Sequence, residues 1–234
     1  MSDVKQVAGI WLPATEQHLL PFLTQSAKQS QSGLGSYQLH TLSGFVNHVP
    51  ADRRGVVIDI GGNVGLWSMH FSRVFDKVVA YEPDPLNQKC FRLNTIDHPV
   101  YPTPNVILRP VALGSHEGFI EIESDPEVTS GTHVAPTDPT KRLDRANHTR
   151  VAMTTIDAEA HDAVDAIKID VEGYEYPVLL GAEKTIRKFK PIICIEQKPW
   201  DIFEWEQYAA AKLLQSWGAK PIQRIVDDFI FAWD

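Results

Sequence analysis

The chain has 234 residues, 43% hydrophobic and 22% charged, a balance that suits a globular domain with one sizeable core. Its net charge of −8 lacks the basic footprint with which general nucleic-acid binders displace counterions, so a nucleic-acid partner is not expected. No apolar run approaches membrane-spanning length and no cationic leader opens the chain, so no membrane partner is expected and the expected compartment is cytoplasmic.

Residues 1–35 show a short helical pattern broken by Pro13 and Pro21, then the polar, flexible stretch QSQSGLGS. They are read as an N-terminal extension, and residues 36–234 as a single domain. Residues 36–49 place Leu39, Leu42, Phe45, Val46 and Val49 at helical spacing, with Ser36 as the expected cap. GVVIDI is then apolar for the length of a strand, as in parallel strands covered on both faces. Residues 63–75 read as a helix, KVVAYE as a second buried strand, and PDPLNQKCFRLNTI as a helix with Pro85 near its first turn. NVILRPVAL reads as a third strand, and GFIEIE as a strand with one wet face.

Residues 124–150 have no clean period and read as an irregular segment, either a functional loop or a disordered one. VAMTTID reads as a short strand. DAIKIDVEG is a fourth core strand, EYPVLLGAEKTIRKF a helix, PIICIE a fifth strand, and WEQYAAAKLLQSWG a helix stopped by Gly218. The last fifteen residues read as an antiparallel hairpin turning at Val226 and Asp227. Cys90 and Cys194 form no C-x-x-C pair, and Cys194 reads as a small buried hydrophobe. Arg53 and Arg54, and Lys141, Arg142 and Arg145, read as solvated loop charges.

Alternating strands and helices make an α/β domain with a mostly parallel sheet, whose ligands collect at the strand carboxyl ends near the topological switch. Asp59, Glu82, Asp170, Glu172 and Glu196 all fall at or just beyond such ends. Gly61, Gly62 and Gly65 permit positive φ and close backbone approach before a helix N-terminus. The G-x-G-x-x-G spacing fails at Asn63 and Leu66, and no G-K-[ST] follows. Asp59 beside the loop disfavours a pyrophosphate and favours a ligand with a positive group. Glu82 suits the hydroxyls of a ribose. S-adenosylmethionine meets these conditions. A NAD-dependent oxidoreductase is the rival that the glycine spacing opposes. A non-catalytic domain retaining the fold is the rival that the full set of acids opposes.

DIGGNVG at residues 59–65 resembles the first motif of class I S-adenosylmethionine-dependent methyltransferases, and YEPDP at 81–85 resembles their second. Residues 167–197, IKIDVEGYEYPVLLGAEKTIRKFKPIICIEQ, resemble the long signature of the FkbM family. RPVALGSHEGFIEI and MTTIDA are similar to that family's linking segments. The resemblance implies a Rossmann-like class I methyltransferase fold, with a seven-stranded, mostly parallel sheet and a C-terminal antiparallel hairpin. It implies an O-methyltransferase acting on a hydroxyl of a sugar or other small metabolite.

Asp59, Gly61, Gly62, Asn63, Gly65, Glu82, Pro83 and Asp170 are then the expected donor contacts. Methyl transfer to an alcohol needs a positioned oxygen and invites a general base. Two apart in a strand, Asp170 and Glu172 should share a face. Asp170 is a donor contact and candidate base, and Glu172 an acceptor or metal contact, which leaves a divalent metal such as Mg open. His133, in the irregular loop, is a further candidate base beside His116 and His161. Lys168 is expected to pair with Asp170 or Glu196, and Glu196 could bind the acceptor. Trp67, Tyr81 and Phe71 are expected in the core. Removing the Glu82 carboxylate is expected to spare the fold.

Overall fold

A computed structural model describes residues 3–100, 102–125, 127–143, 146–198 and 203–234. Arg145 lies outside them. The chain opens with an antiparallel hairpin, β1 (Val4–Val7) and β2 (Ile10–Pro13), followed by α1 (Leu20–Gln29) and α2 (Leu39–His48). Then come β3 (Val56–Ile60), α3 (Leu66–Phe71), β4 (Lys77–Tyr81) and α4 (Pro85–Asn94). β5 (Val106–Arg109), β6 (Ala112–Leu113), β7 (Gly118–Asp125), β8 (Val128–Val134) and β9 (Asn147–Thr154) follow. The chain continues with β10 (Ala166–Ile169), α5 (Glu175–Leu180), α6 (Glu183–Phe189), β11 (Ile192–Glu196), α7 (Ala209–Ser216), β12 (Lys220–Ile225) and β13 (Asp228–Ala232).

The seven-stranded sheet has the order β12-β13-β11-β10-β3-β4-β5. β11, β10, β3, β4 and β5 pair in parallel, while β13 runs antiparallel to β11 and β12. The order reverses between β3 and β10, which is where a ligand crevice opens in such sheets. Alternate residues of the apolar strands face opposite layers. Ile58, Ile60, Ile167, Ile169, Ile193 and Ile195 pack with Val178, Leu179, Ile186 and Leu214 on one side. Val57, Val78, Ala80, Ala166 and Cys194 pack with Phe45, Trp67, Phe71 and Phe91 on the other. Burial on both faces is why these strands read as unbroken apolar runs.

Several elements differ from the sequence expectations. The anticipated third strand divides at Pro110, and β6 leaves the main sheet for a second one ordered β6-β9-β7-β8. That accessory sheet takes up much of the stretch expected to be irregular. The long helix after β10 is two helices parted at Gly181 and Ala182, and Gly181 packs against the Gly114 carbonyl, where any Cβ would collide. Ser36 does not cap α2; its N–H donates to Ser26 Oγ at 2.8 Å.

Residues 3–35 fold onto the domain. Ile10, Leu12, Leu19 and Leu23 share one apolar cluster with Val64, Leu66 and Met69. Fully buried Glu16 ties this segment to β8. Its carboxylate accepts from Leu19 N at 2.7 Å and Thr129 N at 2.6 Å. No helix among the described residues is long and apolar enough to cross a membrane.

Candidate active site

A cavity of about 610 Å³ lies over the carboxyl ends of β3, β4, β10 and β11, a volume in the range of small-molecule sites. Of the expected donor contacts, Gly61, Gly62, Asn63, Glu82, Pro83 and Asp170 line it; Asp59 and Gly65 do not. Glu172, Glu196 and Lys198 line it too, as do His18, Leu19 and Tyr37 from the N-terminal segment.

The glycine loop answers first to the protein's own packing. Gly61 has φ +76, and a Cβ there would overlap the Asp170 carbonyl. Gly65 has φ +88, with Phe91 and Thr95 each 3.1 Å from where its Cβ would be. Asn63, also left-handed at φ +48, joins two walls of the cavity. Its N–H donates to Glu82 Oε2 at 2.7 Å and its Nδ2 donates to the Thr129 carbonyl at 2.9 Å.

Glu82 also accepts from Asp84 N at 2.9 Å through Oε1. Burial, aided by the nearby Asp84 charge, pushes its carboxyl up to about 7. Glu82 therefore holds the loop as well as facing the cavity, which corrects the expectation that its removal spares the fold. Asp59 is corrected as well. It is fully buried and accepts from Ser68 Oγ at 2.6 Å, with Lys168 Nζ 3.4 Å away. It is the hidden counter-ion of a lysine, because strand alternation turns it into the α3 layer beside its cross-strand neighbour Lys168.

Lys168 donates to the carbonyls of Gly61 at 2.7 Å and Ile60 at 3.2 Å, and pairs with Asp170 at 3.7 Å. Burial works against its ammonium, but Asp170 and Asp59 outweigh burial and raise its pKa. The expected partner Asp170 is thus present, and Asp59 is the one the sequence reading missed.

Asp170 and Glu172 do come together, by a different route from strand alternation. β10 ends at Ile169, and Glu172 sits in the following turn at φ +52. Glu175 holds that turn, accepting from Val171 N at 3.2 Å and Gly173 N at 3.0 Å. Carboxylate oxygens of Asp170, Glu172 and Glu196 all lie within 4.8 Å of one another. Lys198 already supplies a cation there, 2.8 Å from Glu196 and 3.1 Å from Glu172. The donor set therefore fits an internal ammonium better than a resident metal. Burial and the charge of Asp170 push Glu172 up to about 7 and Glu196 up to about 10. Asp228, at the start of β13, is pushed up to about 7 by burial and by Asp170.

His133 is part of β8, not of a loop. Its Nδ1 lies 2.7 Å from the Gly131 carbonyl and its Nε2 3.5 Å from Glu123. Both ring nitrogens face protein groups, and His133 lines the main cavity. His161 lies 3.1 Å from the Tyr81 hydroxyl. Lys198, Glu175 and Asp228 were not singled out by sequence. The available signals were a lysine two residues after Glu196 and a carboxylate opening an apolar final strand.

These carboxyls give the ligand-free chain a definite pH response. Glu82, Glu172, Glu175 and Asp228 are each held protonated to about 7 when folded. The unfolded chain releases the same protons in the ordinary carboxylate range. Between these limits the folded state binds more protons, so stability falls as pH rises. Thermal melts should show a lower Tm at about pH 8 than at about pH 5.5; a higher one would contradict the raised carboxyls.

The strand order, with its single antiparallel strand and a cavity over the switch point, defines the class I methyltransferase fold. A putative O-methyltransferase from Klebsiella pneumoniae shares it, with a TM-score of 0.51 at 11% identity over 94% of this chain and 91% of that one. The chain belongs to the methyltransferase FkbM domain family, whose profile matches residues 59–220. A methyltransferase FkbM structure from Methylobacillus flagellatus KT matches at 14% identity and a TM-score of 0.48, covering 92% of this chain. The chain spans 59% of that protein's length. Magnesium protoporphyrin IX methyltransferase from Synechocystis PCC 6803, solved with bound SAM, matches with a TM-score of 0.49 at 11% identity over 83% of this chain and 79% of that one. A search of curated proteins found no match.

Proposed function

We propose that this chain transfers a methyl group from S-adenosylmethionine to a hydroxyl of a sugar or other small metabolite. One observation carries the reading. A single cavity holds a buried ribose-type acid, Glu82, and a carboxylate–lysine cluster at the carboxyl ends of β10 and β11. Their strands are separated by up to three strand spacings, about 14 Å, enough to seat a nucleoside and an acceptor side by side.

The residues fit such a donor. Glu82 would take its ribose, Gly61, Gly62 and Asn63 would face its amino-acid tail, and Tyr81, Val111, Ala112 and Leu113 supply apolar wall. Bound there, the donor supplies a sulfonium methyl already activated for in-line displacement. The chain supplies position and a proton acceptor. Lys168 orients Asp170 toward the donor end. Glu172, with its carboxyl near 7, is the better-matched general base at neutral pH. Glu196, pushed upward by burial and by Asp170, stands beside Lys198, whose ammonium donates. A polyhydroxylated acceptor, which both donates and accepts, suits this mixture.

S-adenosylhomocysteine should raise the Tm of the full chain, and NAD should not. Glu82→Gln, which keeps the side chain's shape, should weaken S-adenosylhomocysteine binding roughly tenfold in a calorimetric titration. Unchanged affinity would remove Glu82 from the donor site.

A further inference from the structure

Thr129 of β8 is held by its main chain from two sides. Its N–H donates to Glu16 at 2.6 Å, and its carbonyl accepts from Asn63 Nδ2 at 2.9 Å. Its hydroxyl is different. Thr129 Oγ1 is buried and has no hydrogen-bond partner among the described residues. Asn87, in the first turn of α4, has the same deficit at Nδ2. Its amide acts on Glu82 as a hydrogen-bond donor that favours the ionised carboxyl, short of full hydrogen-bond geometry. The two residues are 5% and 2% exposed, and both line the main cavity as well as a smaller one of about 280 Å³.

Unpaired buried polar groups are costly, and a protein keeps them where something else completes them. Each hydroxyl of a vicinal diol donates one hydrogen bond and accepts others. Above about pH 7 Glu82 is ionised and can only accept. The diol's lone pairs then call for donors, and an amide N–H and a threonine O–H are donors.

We propose that Thr129 and Asn87 complete, with Glu82, a clasp that reads the donor's ribose diol. The inference rests on the donor site proposed above and adds the accessory sheet to it. Glu16 and Asn63 act as positioning residues, since they fix the main chain of Thr129.

The test is calorimetric titration of the full chain with S-adenosylhomocysteine and with its 2′,3′-dideoxy analogue. Thr129→Val and Asn87→Leu should each weaken S-adenosylhomocysteine roughly threefold to tenfold, while Thr129→Ser keeps the parent affinity. The dideoxy analogue should bind parent and variants alike. Ligand-free Thr129→Val should melt no lower than the parent, because it loses only an unpaired hydroxyl. Parent-like binding of S-adenosylhomocysteine by Thr129→Val would overturn the clasp alone. So would a Thr129→Val variant that melts lower and loses both ligands equally, the mark of a packing role. A parent chain that binds no S-adenosylhomocysteine would overturn the donor site together with the clasp.

Discussion

Lys168→Met is expected to destabilise the fold by roughly 3–5 kcal/mol, the range for removing one partner of a buried ion pair. Lys168 is 5% exposed, and Asp59 beside it is fully buried. Without the ammonium, Asp59 would keep Ser68 as its hydrogen-bond donor but lose its counter-charge. The carbonyls of Ile60 and Gly61 would lose a donor at the same time. Denaturant titration measures the loss. Adding Asp59→Asn to Lys168→Met should recover part of it, because the stranded charge is gone. If the double variant is no more stable than the single one, the pair is not what the lysine holds.

Glu172→Gln is expected to lower kcat by about a hundredfold or more, the usual contribution of a positioned general base. Donor affinity should change little on the proposed reading, in which Glu172 faces the acceptor; Lys198 joins it to Glu196. The measurement is turnover with an acceptor drawn from a panel of sugars and small metabolites, set beside S-adenosylhomocysteine binding. The pH–rate profile of the parent should rise through about 7, where Glu172 loses its proton, and that limb should vanish in the variant. Equal losses in turnover and donor affinity would make Glu172 a binding residue instead.

The main sheet was legible because its strands are covered on both faces. VVIDI, KVVAY, AIKI and IICIE carry only Asp59, Glu196 and two lysines among apolar residues. The accessory sheet was not legible for the opposite reason. VTSGTHV and NHTRVAMT are mostly polar, and buried Glu123 and His133 interrupt any alternation. The N-terminal hairpin has four-residue strands, too short for a period to show. At the site, acids at strand ends were readable from position alone. Their roles were not, because both flank Lys168, yet Asp59 is sealed inside β3 while Asp170 lies past the end of β10 and lines the cavity. Lys168 is a cross-strand neighbour of Asp59 but remote from it in the chain.

The contact of Gly61 with the Asp170 carbonyl couples two halves of the molecule that chemistry would treat separately. A side chain at position 61 would push the β10 turn away and carry Asp170 and Glu172 with it. The glycine loop and the carboxylate cluster would then be displaced in one step. Glycine at this position therefore answers to the join between β3 and β10 before it answers to any ligand.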